Sequence, residues 1–78
     1  MLDAEKIKNI VLKKLPGAQV EVKDYTGTGD HFEAVVVWSG FDGKSRVAQH
    51  QMVMQALKNE LDSGALHALA LKTKIRSL

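Results

Sequence analysis

The four residues Val35-Val36-Val37-Trp38 are apolar without interruption, and they close a longer segment of strand formers that starts at His31. Successive side chains of a strand point to opposite faces. An unbroken apolar run is therefore covered on both faces, which is the signature of a central strand.

The remaining elements arrange themselves around that strand. Ile7, Ile10, Val11 and Leu15 recur at helical spacing, with Lys6, Lys8, Lys13 and Lys14 over the wetter surface. Asp3 is placed to cap this helix, its carboxylate accepting from free amides of the first turn. Pro16-Gly17 ends it. A short strand, Gln19 to Lys23, follows, and Asp24 to Asp30 reads as an exposed loop with two glycines. After the central strand, His31 to Trp38, the chain turns at Gly40-Phe41-Asp42-Gly43. Ser45 is expected to cap a short helical turn. A longer helix is expected from about Val47 to Leu61, with an apolar stripe of Val47, Val53, Met54, Leu57 and Leu61. Ser63-Gly64 closes it. The last strand is expected over Leu66 to Thr73, and Lys74 to Leu78 as a loose tail.

The order is αββααβ, with the middle helix short. The first two strands pair antiparallel, and the third, reached through helices, lies parallel to the second. Helices cover one face. The expected fold class is α+β: a single two-layer domain over residues 1–78 with a three-stranded mixed sheet.

Composition narrows the function. With 78 residues, 45% of them hydrophobic, the chain builds one compact core. It has no cysteine, so no disulfide and no thiolate metal site. Small extracellular domains without disulfides are unusual, and a cytoplasmic location is expected. No apolar run approaches the roughly 20 residues that span a bilayer, and Met1 to Lys14 lacks a signal-peptide core, so no membrane association is expected. A net charge of +2 does not argue for nucleic acid by itself. Ser39, Ser45, Ser63 and Ser77 lack the context of a strained nucleophile elbow. No nucleophile, base and orienting group can be assembled, and the chain reads as non-enzymatic.

Three histidines hold the metal-binding potential. His67 lies in the strand-like run Ala65 to Lys72. It reads either as a strand-end residue with a half-buried ring or as a ligand, since imidazole is a common ligand for zinc, copper and iron. His31 reads either as a strand-edge residue packed beside Phe32 or as a second ligand. His50 lies on the apolar side of the long helix, where a ring bonded to a backbone carbonyl accounts for it. None stands at the i, i+4 spacing of a helical metal pair, so any metal must arrive with a partner's ligands. His31 and His67 can meet only if their strands run parallel with both starts at one end.

Two basic sets stand apart from these. Lys44 and Arg46 adjoin the second helical segment, and Lys72, Lys74 and Arg76 share one face if the last strand continues. They read as solvated surface or as phosphate contacts. Gly40-Phe41-Asp42-Gly43 formally matches the GxxG loop of KH domains, but it follows a strand instead of joining two helices, and Asp42 opposes phosphate.

Three ordered blocks resemble the BolA family over nearly the whole chain. The first is Asp24-Tyr25-Thr26-Gly27 leading into His31-Phe32-Glu33-Ala34-Val35-Val36. The second is Phe41-Asp42-Gly43-Lys44-Ser45, followed by Gln49-His50-Gln51-Met52-Val53 and Ala56-Leu57. The third is Glu60-Leu61 with Leu66-His67-Ala68-Leu69. The resemblance implies an αββααβ fold similar to a type II KH domain. It implies a partnership with a monothiol glutaredoxin and a bridging [2Fe–2S] cluster, in iron-sulfur cluster trafficking and iron homeostasis. The family's last-strand histidine, a cluster ligand, corresponds to His67. The family's second ligand, a cysteine or histidine in the first hairpin loop, has no counterpart within that loop here. His31 at its end is the substitute. The partner would supply its active-site cysteine and glutathione, and the isolated chain would hold no cofactor. Without its partner the chain is expected to be a monomer or a weak homodimer. Because some BolA-like proteins are described as transcription regulators, DNA is the alternative partner.

Overall fold

The computed structural model of the chain describes residues 3–24, 31–66 and 68–76. Helix α1 covers Ala4–Lys14, and its cap is the expected one: Asp3 Oδ1 accepts from the Lys6 amide at 2.9 Å. Ile7, Val11 and Leu15 turn one face of it inward. Gly17, at φ 86°, then turns the chain in the left-handed region that L side chains avoid.

Strands β1 (Gln19–Asp24), β2 (His31–Trp38) and β3 (Ala68–Ile75) form one sheet in the order β1-β2-β3. β2 is central. It pairs antiparallel with β1, Gln19 opposite Val37 and Asp24 opposite Phe32, and parallel with β3, His31 opposite Ala68 and Trp38 opposite Ile75. A short 3-10 helix (Ser39–Phe41), then α2 (Arg46–Ala56) and α3 (Lys58–Asp62), connect β2 to β3. The helices cover one face of the sheet. Phe32, Val36 and Val20 meet Ile7, Val11, Val53 and Leu57 in a continuous core. On the other face Val35 lies between Glu21 and Lys72, and Val37 between Gln19 and Lys74. These long neighbours leave both valines half-buried, as aliphatic stems do over apolar surface.

The Trp38 end of the sheet is pinned by several contacts. Trp38 Nε1 donates to the Pro16 carbonyl at 2.9 Å, and its ring meets buried Phe41 edge to face, centroids 5.3 Å apart. The Arg76 amide donates to the Trp38 carbonyl at 3.2 Å.

The expected αββααβ order and mixed sheet are both present. Four details differ. Asp24 belongs to β1 and not to the loop, because β2 offers it Phe32 as a register partner. The longer helix comes first and the short one second. Ser45 Oγ caps α2 itself, accepting from the Ala48 amide at 3.1 Å. The helical run then breaks at Leu57 (φ −102°, ψ 15°), whose amide is shared between the carbonyls of Val53 and Met54. Val47 is 67% exposed and outside the apolar stripe. The last strand begins at Ala68, and it runs on through Lys74 and Ile75, which are no loose tail. All eight residues of β2 have a partner in it. No described helix is long and apolar enough to cross a membrane.

Candidate functional site at the start of two parallel strands

Parallel pairing brings the beginnings of β2 and β3 to one end of the sheet. His31 opens β2 with its side chain exposed, while the next residue, Phe32, is buried in the core and fixes the strand's rotation. The register partner of His31 is Ala68, on a neighbouring strand about 4.8 Å away. His67 immediately precedes Ala68 in the chain. His67 itself lies outside the described residues, as do the loop positions 25–30. The residue before it is well held. Leu66 is buried, and its amide donates to the Glu60 carbonyl at 3.0 Å. The condition for the two histidine segments to meet, parallel strands with their starts together, is therefore satisfied.

Apart from the thioethers of three methionines, imidazole is the only soft or borderline donor this chain offers. Among the described residues no three His, Cys, Asp or Glu side chains gather into a metal cage. A binuclear iron-sulfur cluster takes four protein or thiol ligands. An exposed histidine at a strand start can contribute one imidazole ligand to a centre completed by another molecule.

The basic residues divide differently. Arg46, Lys72 and Lys74, from two segments far apart in sequence, line one cleft of about 200 Å³ between α2 and β3, together with His50, Leu71 and Thr73. Among the described residues no carboxylate lines it. Lys44 faces a separate groove, and Arg76 stands beyond the end of β3. His50 is half-buried and lies at this cleft.

The cleft also has a fixed floor that depends on a residue the hydrophobic pattern does not flag. Gln49 is only 7% exposed. Its Oε1 accepts from Thr73 Oγ1 at 2.8 Å, and its Nε2 donates to the Lys44 carbonyl at 2.9 Å. One side chain thus ties the loop before α2 to β3. The signal available for it is spacing: Gln49 stands four and eight residues before Val53 and Leu57, on the helix's core face.

Comparison with known proteins agrees with this architecture. The family model for BolA-like proteins matches residues 12–77. Protein BOLA2 of Arabidopsis thaliana is 36% identical over 73 residues, covering 92% of this chain and 76% of the relative. Among solved structures, a BolA homologue from Coxiella burnetii superposes with a TM-score of 0.81 at 33% identity, covering 96% of this chain and 92% of the other. The BolA domain of SufE1 from Arabidopsis thaliana gives a TM-score of 0.81 at 31% identity, with 96% and 95% coverage.

Proposed function

Since the chain belongs to the BolA-like family, we propose that it is a non-catalytic partner of a monothiol glutaredoxin, with which it shares a bridging [2Fe–2S] cluster in iron-sulfur cluster trafficking. The observation that carries this reading is the parallel register, which sets His31 beside the residue that follows His67. Neutral imidazole binds iron through one ring nitrogen, leaving the other to a hydrogen-bond partner. Two histidines in place of two thiolates make the ligand set less negative and raise the cluster's potential, and they make ligation sensitive to protonation. Such a centre is suited to transfer. The other two ligands would come from the glutaredoxin's cysteine and glutathione, in the cytoplasm.

The test is anaerobic reconstitution of the full chain with a monothiol glutaredoxin, glutathione, iron and sulfide, read by visible absorbance and circular dichroism. His67→Ala is expected to keep the far-ultraviolet spectrum of the fold and lose the mixed complex's cluster bands. His31→Ala is expected to shift those bands while the apo proteins still associate. Unchanged bands in His67→Ala refute the reading, and unchanged bands in His31→Ala remove that residue from the ligand set.

A second reading, nucleic-acid binding by a KH-like domain, has one observation in its favour: Arg46, Lys72 and Lys74 line one cleft at the β3 edge, the two lysines belonging to the sheet face opposite the helices. The Gly40-Phe41-Asp42-Gly43 tetrapeptide does not add to it. Phe41 is buried in the core, and half of the motif is wound into the 3-10 helix.

A further inference from the structure

A trough of about 660 Å³ runs along the outer side of the helical layer, between the C-terminal end of α1 and α2. Its floor is Leu15, Ala48, Met52 and Ala56, Gln51 and Gln55 stand along it, and Lys14 and Lys44 are at its rim. Ala48, Gln51, Met52 and Gln55 follow one another at i, i+3, i+4 and i+7. They are a helix face distinct from the Gln49, Val53 and Leu57 face that meets the sheet. Helix α2 therefore presents a second face, on which Ala48 and Met52 are half-buried, Met52 packing partly against the core, and Gln51 and Gln55 are exposed.

Charge and backbone chemistry say what fits there. Among the described residues no acidic side chain lines the trough, and Asp42, the acid closest in sequence to Lys44, stays outside it. Neither Lys14 nor Lys44 has a carboxylate of a described residue within ion-pair distance. The walls are helices, whose amides and carbonyls are already paired along α2. An extended peptide would find no ladder of main-chain partners, whereas a helix satisfies its own backbone and docks by its side chains. Ala48 to Ala56 spans about 12 Å, roughly two helical turns. A second copy of this chain is poorly matched. The last turn of α1 is basic, and α3, which carries Glu60 and Asp62, has only five residues.

We propose that this trough docks an acidic amphipathic helix of another protein, with apolar side chains on Ala48 and Met52 and carboxylates against Lys14 and Lys44. The surface is separate from the histidine end. Leu15 leads through the turn at Gly17 into Gln19, which pairs with Val37 near the far end of β2. His31 lies seven residues from Trp38, about 23 Å along the strand. A protein in the trough leaves the His31 end open, so two different partners can be held at once. The proposal stands independently of the cluster reading.

The test titrates the full isotope-labelled chain with two synthetic helical 14-residue peptides, both carrying leucine at i, i+3, i+4 and i+7. One has glutamate at the remaining outward positions and the other has lysine. The glutamate peptide is expected to move the amide signals of Leu15, Ala48, Met52 and Gln55. The lysine peptide is expected to bind about tenfold more weakly or worse. The exposed pair Lys14→Gln/Lys44→Gln should keep the fold and weaken the glutamate peptide by about three- to tenfold. Met52→Glu should abolish its binding, with thermal unfolding confirming that this variant is folded. The proposal is overturned if neither peptide binds or both bind equally. It is likewise overturned if the moved signals lie on β3 or the outer sheet face. It also fails if diffusion shows two copies of this chain filling the trough, or if a duplex oligonucleotide moves the same signals more strongly.

Discussion

Replacing Gly40 with alanine tests how tightly the Trp38 end of the sheet is built. A Cβ at position 40 would lie 2.5, 2.6 and 2.7 Å from three carbons of the Trp38 ring. Something must move, and the ring is constrained on two sides. Its Nε1 is bonded to the Pro16 carbonyl, and Phe41 packs against it at right angles. Forcing an extra carbon into a packed site costs about 1–3 kcal/mol. A ring that swings aside gives up a hydrogen bond of about 1 kcal/mol and an aromatic contact of about 0.5–1.5 kcal/mol. Against this, alanine restricts the unfolded chain more than glycine does, an offset of about 0.4–1 kcal/mol. The net loss is about 1–2 kcal/mol, a sizeable part of the total for a domain of this size. It corresponds to a fall in Tm of about 5–15 °C. Trp38 is the sole tryptophan, so urea unfolding followed by its fluorescence reads the site directly, with far-ultraviolet circular dichroism as the second probe. In a Trp38→Leu background the same Gly40→Ala change should cost less than about 0.5 kcal/mol, because the ring it strikes is gone. An unaltered midpoint in the single variant, or an undiminished loss in the double variant, refutes the steric argument.

Thr73→Val removes the hydroxyl that donates to buried Gln49 Oε1, leaving an acceptor unsatisfied at a cost of about 1–3 kcal/mol; a urea midpoint matching that of the parent chain would show that this bond does not hold the cleft floor. If the nucleic-acid reading is right, Arg46→Gln/Lys72→Gln should flatten the dependence of log K on log salt for a duplex oligonucleotide by about 1.8, the slope that two neutralised phosphates contribute. The control Lys8→Gln/Lys13→Gln should leave that slope alone, and equal slopes in both variants would remove the cleft from any such role.

Much of the fold is legible in the sequence because its signals are local. Both ends of β2 coincide with the limits read from its run of strand formers, and Asp3, Gly17 and Gly64 cap or turn the chain where their chemistry says they should. The departures are tertiary. Lys74 and Ile75 resemble a tail until β2 is known to offer them partners. Leu57 breaks the helical run while its spacing continues the apolar stripe. Gln49 is polar at a core position, so a hydrophobic pattern passes over it although the core closes around it. For the site, the parallel register follows from the crossover rule, and it determines that the segments of His31 and His67 start at one end. The convergence of Arg46 with Lys72 and Lys74 is not readable locally, because it depends on how α2 returns across the sheet.

β3 is an edge strand, and its outer row of amides and carbonyls is a template on which another strand could grow. Lys72 and Lys74 stand at alternate residues along it, both exposed. Two copies approaching rim to rim would press ammonium against ammonium before any ladder could close. Lys72 and Lys74 thus set a like-charge barrier against the pairing of two such edges.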